Sequence, residues 1–155
     1  MDDRSEPQRS GPSVKARALR LLALREHTRS ELEQKLARHD PVPDALRQAL
    51  DDLEAKGFIS EARVVDSVLH TRAARLGAQR VKLELQRKGV GASALTDAML
   101  RLKDTEEARA REVWRKKFGQ PANDAKEQAR QIRFLLSRGF AAEVVRRITR
   151  ATDPD

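Results

Sequence analysis

The three histidines, His27, His39 and His70, stand twelve and thirty-one residues apart and have no cysteine to partner them. That spacing assembles no metal-ligand set. Carboxylates such as Asp51, Asp52 and Glu54 fall on what periodicity makes a solvated helix face. General acid–base chemistry needs groups converging in a shielded pocket, and no pair here is so placed. Gly89-Val90-Gly91 lacks the glycine pattern and the following Lys-Ser or Lys-Thr of a phosphate loop, and reads as a chain turn. The expectation is therefore no catalytic residue, no cofactor, no metal and no enzymatic activity.

The basic residues carry the remaining chemistry. Arg72, Arg75, Arg80, Lys82, Arg87 and Lys88 crowd the middle of the chain, and Arg115-Lys116-Lys117 form a run beside Trp114. Arg130, Arg133, Arg138, Arg146, Arg147 and Arg150 extend the excess to the end. Such groups pair with phosphates or carboxylates, and arginine suits two-pronged contacts with either. A charge run is also what an ordinary wet helix face looks like, with arginine stems covering seams between elements. Trp114, in line with Ala110, Val113 and Phe118, reads as core. With 3% aromatic residues, base stacking cannot be the main means of holding a single strand.

These residues must be positioned by helices. Val64, Val65, Val68 and Leu69 form one apolar stripe, Val81 and Leu85 another, and Leu95, Met99 and Leu102 a third, separated by Gly77 and the Gly89–Gly91 turn. Upstream, Leu32, Leu36, Val42, Leu46, Leu50 and Leu53 match Val81, Leu85, Val90, Leu95, Met99 and Leu102. Downstream, Ile132, Leu136, Phe140, Val144 or Val145, and Ile148 give the same order. The units are roughly 42 to 47 residues long. Such periodicity predicts an all-α fold, an elongated curved array of three tandem three-helix repeats, each burying its open side against a neighbour. The expected boundaries are a flexible lead-in over 1–13, repeats over 14–57, 58–103 and 104–151, and a frayed end over 152–155.

Local signals mark the ends of these helices. Thr28 with Glu31 three residues on is a capping box, and the prolines of His39-Asp40-Pro41-Val42-Pro43 force a break. Gly57 stands where a left-handed terminal residue is expected, with Phe58 and Ile59 an apolar latch after it. Asp104 and Glu107 suit the start of a helix that Gly119-Gln120-Pro121 ends, and Asn123 is placed to cap the next.

Of 155 residues, 36% are charged, and the formal net charge is +8. Residues 1–71 carry 12 basic and 13 acidic side chains, and residues 72–155 carry 20 and 11. A near-neutral first half and a basic second half fit an acidic polymer or an acidic protein groove meeting the C-terminal part. The absence of cysteine excludes disulfides and suits a reducing compartment. No apolar run has the length of a membrane span, and MDDRSEPQRS lacks a signal-like segment. A cytoplasmic monomer is expected.

Gly57-Phe58-Ile59-Ser60-Glu61-Ala62-Arg63, with Arg72, Gly77, Arg80, Val81, Glu84-Leu85 and Lys88-Gly89-Val90, resembles the central signature of the RecX regulatory protein family. The resemblance runs over roughly residues 16–150. Val64 and Val65 stand where the family pattern has an aromatic residue followed by alanine. The resemblance implies a non-enzymatic protein of three tandem three-helix units that binds the RecA filament on single-stranded DNA. It would lie in the filament groove and modulate, mostly negatively, strand exchange, ATP hydrolysis and coprotease activity in DNA repair and the SOS response. Together with the charge asymmetry, it nominates Arg72, Arg75, Arg80, Lys82, Lys88, Lys116 and Lys117 as facing acidic RecA surfaces or DNA phosphate, with weak direct DNA binding in addition. Two other readings fit the composition: a nonspecific DNA-binding helical protein with no required protein partner, and a scaffold between unrelated proteins.

Overall fold

The computed structural model describes residues 11–150. Residues 1–10 of the expected lead-in lie outside that part, as do Ala151 and the expected frayed end 152–155. Among the described residues are nine helices and no strand. The chain divides into two compact units, Met1–Ser60 and Glu61–Asp155. The first holds α1 (Val14–Leu24), α2 (Arg29–Ala37) and α3 (Pro43–Ala55). In the second, α4 (Glu61–Arg72), α5 (Ala78–Arg87) and α6 (Ala92–Lys103) are followed by α7 (Glu106–Lys117), α8 (Ala125–Ser137) and α9 (Ala142–Thr149).

Each successive trio of helices closes its own small core. Ala18, Leu32, Leu36, Leu50, Leu53 and Ile59 form the first. Val64, Val65, Val68, Val81, Leu85 and Leu102 dominate the second. Ala110, Leu135, Phe140, Val145 and Ile148 form the third. The fold is thus an all-α repeat of three-helix bundles, as the apolar spacing predicts. A fully buried leucine contributes about 1.5–3 kcal/mol, and no helix here could gain that without its two neighbours. Of the expected latch after Gly57, Ile59 packs into the first core, whereas Phe58 remains half exposed.

Capping fixes where the helices begin and end. Thr28 Oγ1 accepts the Glu31 N–H at 3.1 Å and Glu31 Oε1 accepts the Thr28 N–H at 3.1 Å, the reciprocal pair read from the sequence. Gly57 has φ 81°, with the Phe58 N–H returning to the Leu53 carbonyl at 2.8 Å. The same left-handed turn recurs where the second helix of each bundle ends, at Gly89 (φ 82°) and Gly139 (φ 89°). There the Val90 and Phe140 N–H groups return to the Leu85 and Leu135 carbonyls at 3.1 and 3.3 Å. In the first bundle Asp40 takes the position with φ 45°, and Pro41 has no N–H to return.

That turn corrects the register of the repeats. Leu36, Leu85 and Leu135 are the equivalent buried residues. In the third bundle the inner line of α8 is therefore Gln131 and Leu135, while Leu136 is 44% exposed and Ile132 only half buried. The sequence pattern fails by one residue because the buried position is polar. Gln131 accepts the Trp114 indole N–H at 2.9 Å and donates its amide to the Gln120 carbonyl at 3.1 Å, so its burial leaves no group unpaired. Trp114 is held there as a core residue. In the first bundle Val42, aligned by sequence with Val90, is 49% exposed at the N-cap of α3. Two helix starts also shift. Asp104 ends α6, and α7 begins after Thr105 with Glu106 and Glu107 in its first turn. Asp124, not Asn123, caps α8, accepting the Glu127 N–H at 2.8 Å.

His27 is 1% exposed, with Nδ1 3.0 Å from the Arg25 carbonyl and Nε2 2.9 Å from the Lys35 ammonium. The ammonium can only donate, so Nε2 accepts and the proton sits on Nδ1. Burial pushes the pKa of this neutral imidazole below its usual value. Between the unfolded pKa of about 6.5 and the lower folded one, the unfolded chain binds the extra proton. Stability from His27 is therefore complete above about pH 6.5 and declines as pH falls towards the folded pKa. Urea unfolding at a series of pH values from 7.5 to 5 should show this decline, and the His27→Gln protein should lack that component of the slope. A wild-type slope in the variant would reject the assignment.

Candidate functional site

Five of the seven nominated cations, Arg72, Arg75, Arg80, Lys116 and Lys117, line grooves beside the place where the second and third bundles meet, and the meeting itself is built from helix ends. The C-terminus of α8 presents carbonyls to the N-terminus of α5. The Gly77 N–H donates to the Arg138 carbonyl at 2.7 Å, and the Gln79 N–H to the Gly139 carbonyl at 3.1 Å. The opposed partial charges of the two helix ends reinforce these bonds. Buried Glu106 adds its carboxylate to the same end of α5, accepting the Ala78 N–H at 3.1 Å. Arg109 fastens the other side, donating to the carbonyls of Ala73 at 2.8 Å, Leu76 at 2.7 Å and Leu102 at 3.1 Å.

Two grooves open beside this junction. Arg80, Leu83, Glu84 and Arg87 share one face of α5 by their three- and four-residue spacing, and with Arg72 and Leu76 they line the first. Arg72 Nε lies 3.4 Å from Glu84 Oε2. Arg80 has a structural task as well: its guanidinium donates to the Ser137 carbonyl at 2.7 Å. The second groove has an apolar floor of Ala74, Val113 and Phe134 beneath Arg75, Lys116, Lys117 and Arg138. The Lys117 ammonium stands 5.3 Å and the Arg138 guanidinium 5.0 Å from the centre of the Phe134 ring, contacts that hold the cations over the floor. Glu112 is its one carboxylate. It binds Arg115 at 2.6 Å and Lys116 at 3.8 Å, and those cations hold its carboxyl below the usual range, so the groove stays positive.

Of the seven nominated residues, the structure places Arg72 and Arg80 in the first groove and Arg75, Lys116 and Lys117 in the second. Lys82 falls off the lining face of α5, and Lys88 is the half-buried C-cap of that helix; neither lines a groove. Arg87 and Arg138, members of the basic excess left out of the nominated set, do line them. Their spacing was the available signal: Arg87 is seven residues after Arg80 and Arg138 four after Phe134. No group of three or more His, Asp or Glu that could hold a metal ion occurs among the described residues. No described helix is long and apolar enough to cross a membrane.

Residues 15–53 match the first three-helix domain of RecX, and residues 104–149 match its third. The regulatory protein RecX of Leptothrix cholodnii is 55% identical over 141 residues, covering 91% of this chain and 90% of that protein. The regulatory protein RecX of Herminiimonas arsenicoxydans is 47% identical, covering 91% and 93%. Among solved structures, RecX from Lactobacillus salivarius superposes with a TM-score of 0.73 at 21% identity, covering 87% of this chain and 91% of that one. A crystal structure of regulatory protein RecX gives a TM-score of 0.72 at 22% identity, with coverage of 87% and 70%. The shared fold, the matched bundle domains and relatives of this identity along nearly the whole chain place the protein in the RecX family of regulatory proteins.

Proposed function

We propose that this protein is a cytoplasmic, non-enzymatic regulator of the RecA recombinase. It binds as a monomer in the groove of the RecA filament on single-stranded DNA and restrains strand exchange, ATP hydrolysis and coprotease activity. Arg72, Arg75, Arg80, Lys82, Lys88, Lys116 and Lys117 face acidic RecA surfaces or DNA phosphate, joined by Arg87 and Arg138. The observation that carries this reading is a positive groove on the second bundle together with one shared by the second and third bundles. Hydrogen bonds between helix ends fix their cations at set separations, which a repeating acidic assembly can match and a flexible basic tail cannot.

The test compares affinity for bare single-stranded DNA with affinity for the RecA–ATP–DNA filament across a salt series. Filament affinity should persist at salt that screens bare-DNA binding, because protein contacts add interactions that counterion release does not govern. The double reversal Lys116→Glu/Lys117→Glu should weaken filament binding at least about tenfold at low salt and flatten its salt dependence. Both side chains are exposed, so the variant should remain folded, with only the small fall in melting temperature that losing the Phe134 and Glu112 contacts brings. Unchanged binding by the folded variant would remove this surface from the interface. Equal affinity and equal salt response for DNA and filament would instead make the protein a nonspecific DNA binder.

A further inference from the structure

The first unit contains a third groove, formed by α1 and α2, that the charge balance of the sequence conceals. Residues 1–71 are near neutral, yet their charges are partitioned in space. Arg29 holds Asp51 at 2.6 Å and Glu54 at 2.9 Å, Lys15 and Lys56 hold Asp52, and Arg47 holds Asp44 at 2.7 Å. These pairs neutralise the acidic side of α3. Arg17 and Arg20 on α1, Arg38 at the C-cap of α2 and His39 beyond it face a common groove with no carboxylate among its described lining residues; Lys35 also lines it, with its ammonium 2.9 Å from His27 Nε2.

Leu21 and Leu36 form the floor of this groove, and Leu24 stands at its edge with 82% of its surface exposed. The corresponding groove of the third bundle is bordered by Ala74 and Arg75, supplied by the second bundle. In the first unit the lining comes from α1, α2 and the two residues that follow α2.

We propose that this groove docks an acidic amphipathic helix of a protein partner. The argument is complementarity of two kinds. Arg17 and Arg20, three residues apart on one wall, and Arg38 on the other match carboxylates at three- or four-residue spacing on an inserted helix. The leucines match the apolar stripe of the same helix, which is the helix-in-groove mode of recognition. A phosphodiester backbone would satisfy the cations but bury nothing on Leu24. This proposal does not depend on recombinase binding by the second and third bundles, and its test uses neither recombinase nor filament.

The probe is a fluorescein-labelled synthetic helix of about fifteen residues carrying leucines on one face and glutamates elsewhere, a length of about four turns. Its controls are the same peptide with every leucine replaced by glutamine, and a fifteen-nucleotide oligo-dT. The full-length protein should bind the leucine-bearing peptide at least about tenfold more tightly than the glutamine control, since apolar burial and charge pairing act together only there. Leu24→Gln should abolish that preference, and the double variant Arg20→Glu/Arg38→Glu should weaken both peptides at least about tenfold, each with the melting temperature unchanged because these side chains are exposed. Oligo-dT binding should be indifferent to Leu24→Gln. Three results would each overturn the proposal: no peptide binding, equal binding of the two peptides, or variants that bind like wild type. Loss of oligo-dT binding in the arginine variant with no peptide preference in the wild type would mark the groove as a nucleic-acid site.

Discussion

Gly139→Ala and Gly77→Ala should each destabilise the packing of the third bundle against the second by about 3 kcal/mol or more, well beyond the usual cost of a single methyl group. At Gly139 the backbone is left-handed, with φ 89°, and an added Cβ would lie 2.4 Å from Arg80 Cγ and 2.6 Å from the Arg80 nitrogen. At Gly77 φ is ordinary, but the Cβ would lie 2.3 Å from three backbone atoms of Gly139 and Phe140. Backbone cannot rotate away as a side chain can. Relief therefore requires the two helix ends to separate, which breaks the bonds from Gly77 and Gln79 and the Arg80–Ser137 clamp. Gly57→Ala supplies the control. Its φ is also left-handed, at 81°, but nothing lies within 4 Å of the added atom. It should cost only the conformational term of about 1–2 kcal/mol. Urea unfolding, followed by the fluorescence of Trp114 in the third bundle and by circular dichroism, measures all three. Equal effects for Gly57 and Gly77 would show that close approach at the junction contributes nothing.

Arg109→Met should cost about 2–4 kcal/mol, because it removes a donor from three carbonyls and leaves two of them, Ala73 and Leu76, without the guanidinium that satisfies them, while Leu102 keeps the Thr105 N–H at 3.3 Å. The three belong to Ala73, Leu76 and Leu102, so one side chain ties the end of α4 and its following turn to the end of α6 from within α7. Burial pushes the Arg109 pKa down, offset in part by Glu106, yet a guanidinium keeps its charge in proteins. The charge is favourable at this place because helix carbonyl ends are electron-rich. Arg109→Lys tests whether geometry or charge matters. A single ammonium cannot reproduce the planar fork, so the lysine variant should recover less than half of the loss. A lysine variant as stable as wild type would reduce Arg109 to a point charge. Either variant, if it loosens the junction, should also weaken any ligand that reads the two grooves together, even with every groove side chain retained.

Much of this architecture was legible before any coordinates. Leucine and valine at three- and four-residue spacing define helices by the geometry of the α-helix alone, and their recurrence along the chain defines the bundles. Thr28 with Glu31, the prolines after Asp40 and the turn at Gly57 are local signals acting over a few residues, and the structure agrees with each. The register of the third bundle was not legible. A pattern built on apolar residues passes over Gln131, whose burial depends on the Trp114 indole and the Gln120 carbonyl, partners seventeen and eleven residues away.

The sequence by itself determined the helices, their grouping in threes and a positive charge in the second half of the chain, because periodicity, capping and composition are properties of short segments. Only the tertiary structure decided which cations share a groove. It separated Lys82 and Lys88 from Arg80 and Arg87 along one helix and its cap, and it drew together Arg75 from the turn after α4, Lys116 from α7 and Arg138 from the end of α8. It also exposed a positive groove in a unit of near-zero net charge. Charge summed along a chain is indifferent to position, whereas the field met by a ligand depends on distance, and the distances follow from contacts such as Gly77 on Gly139 that no local spacing encodes.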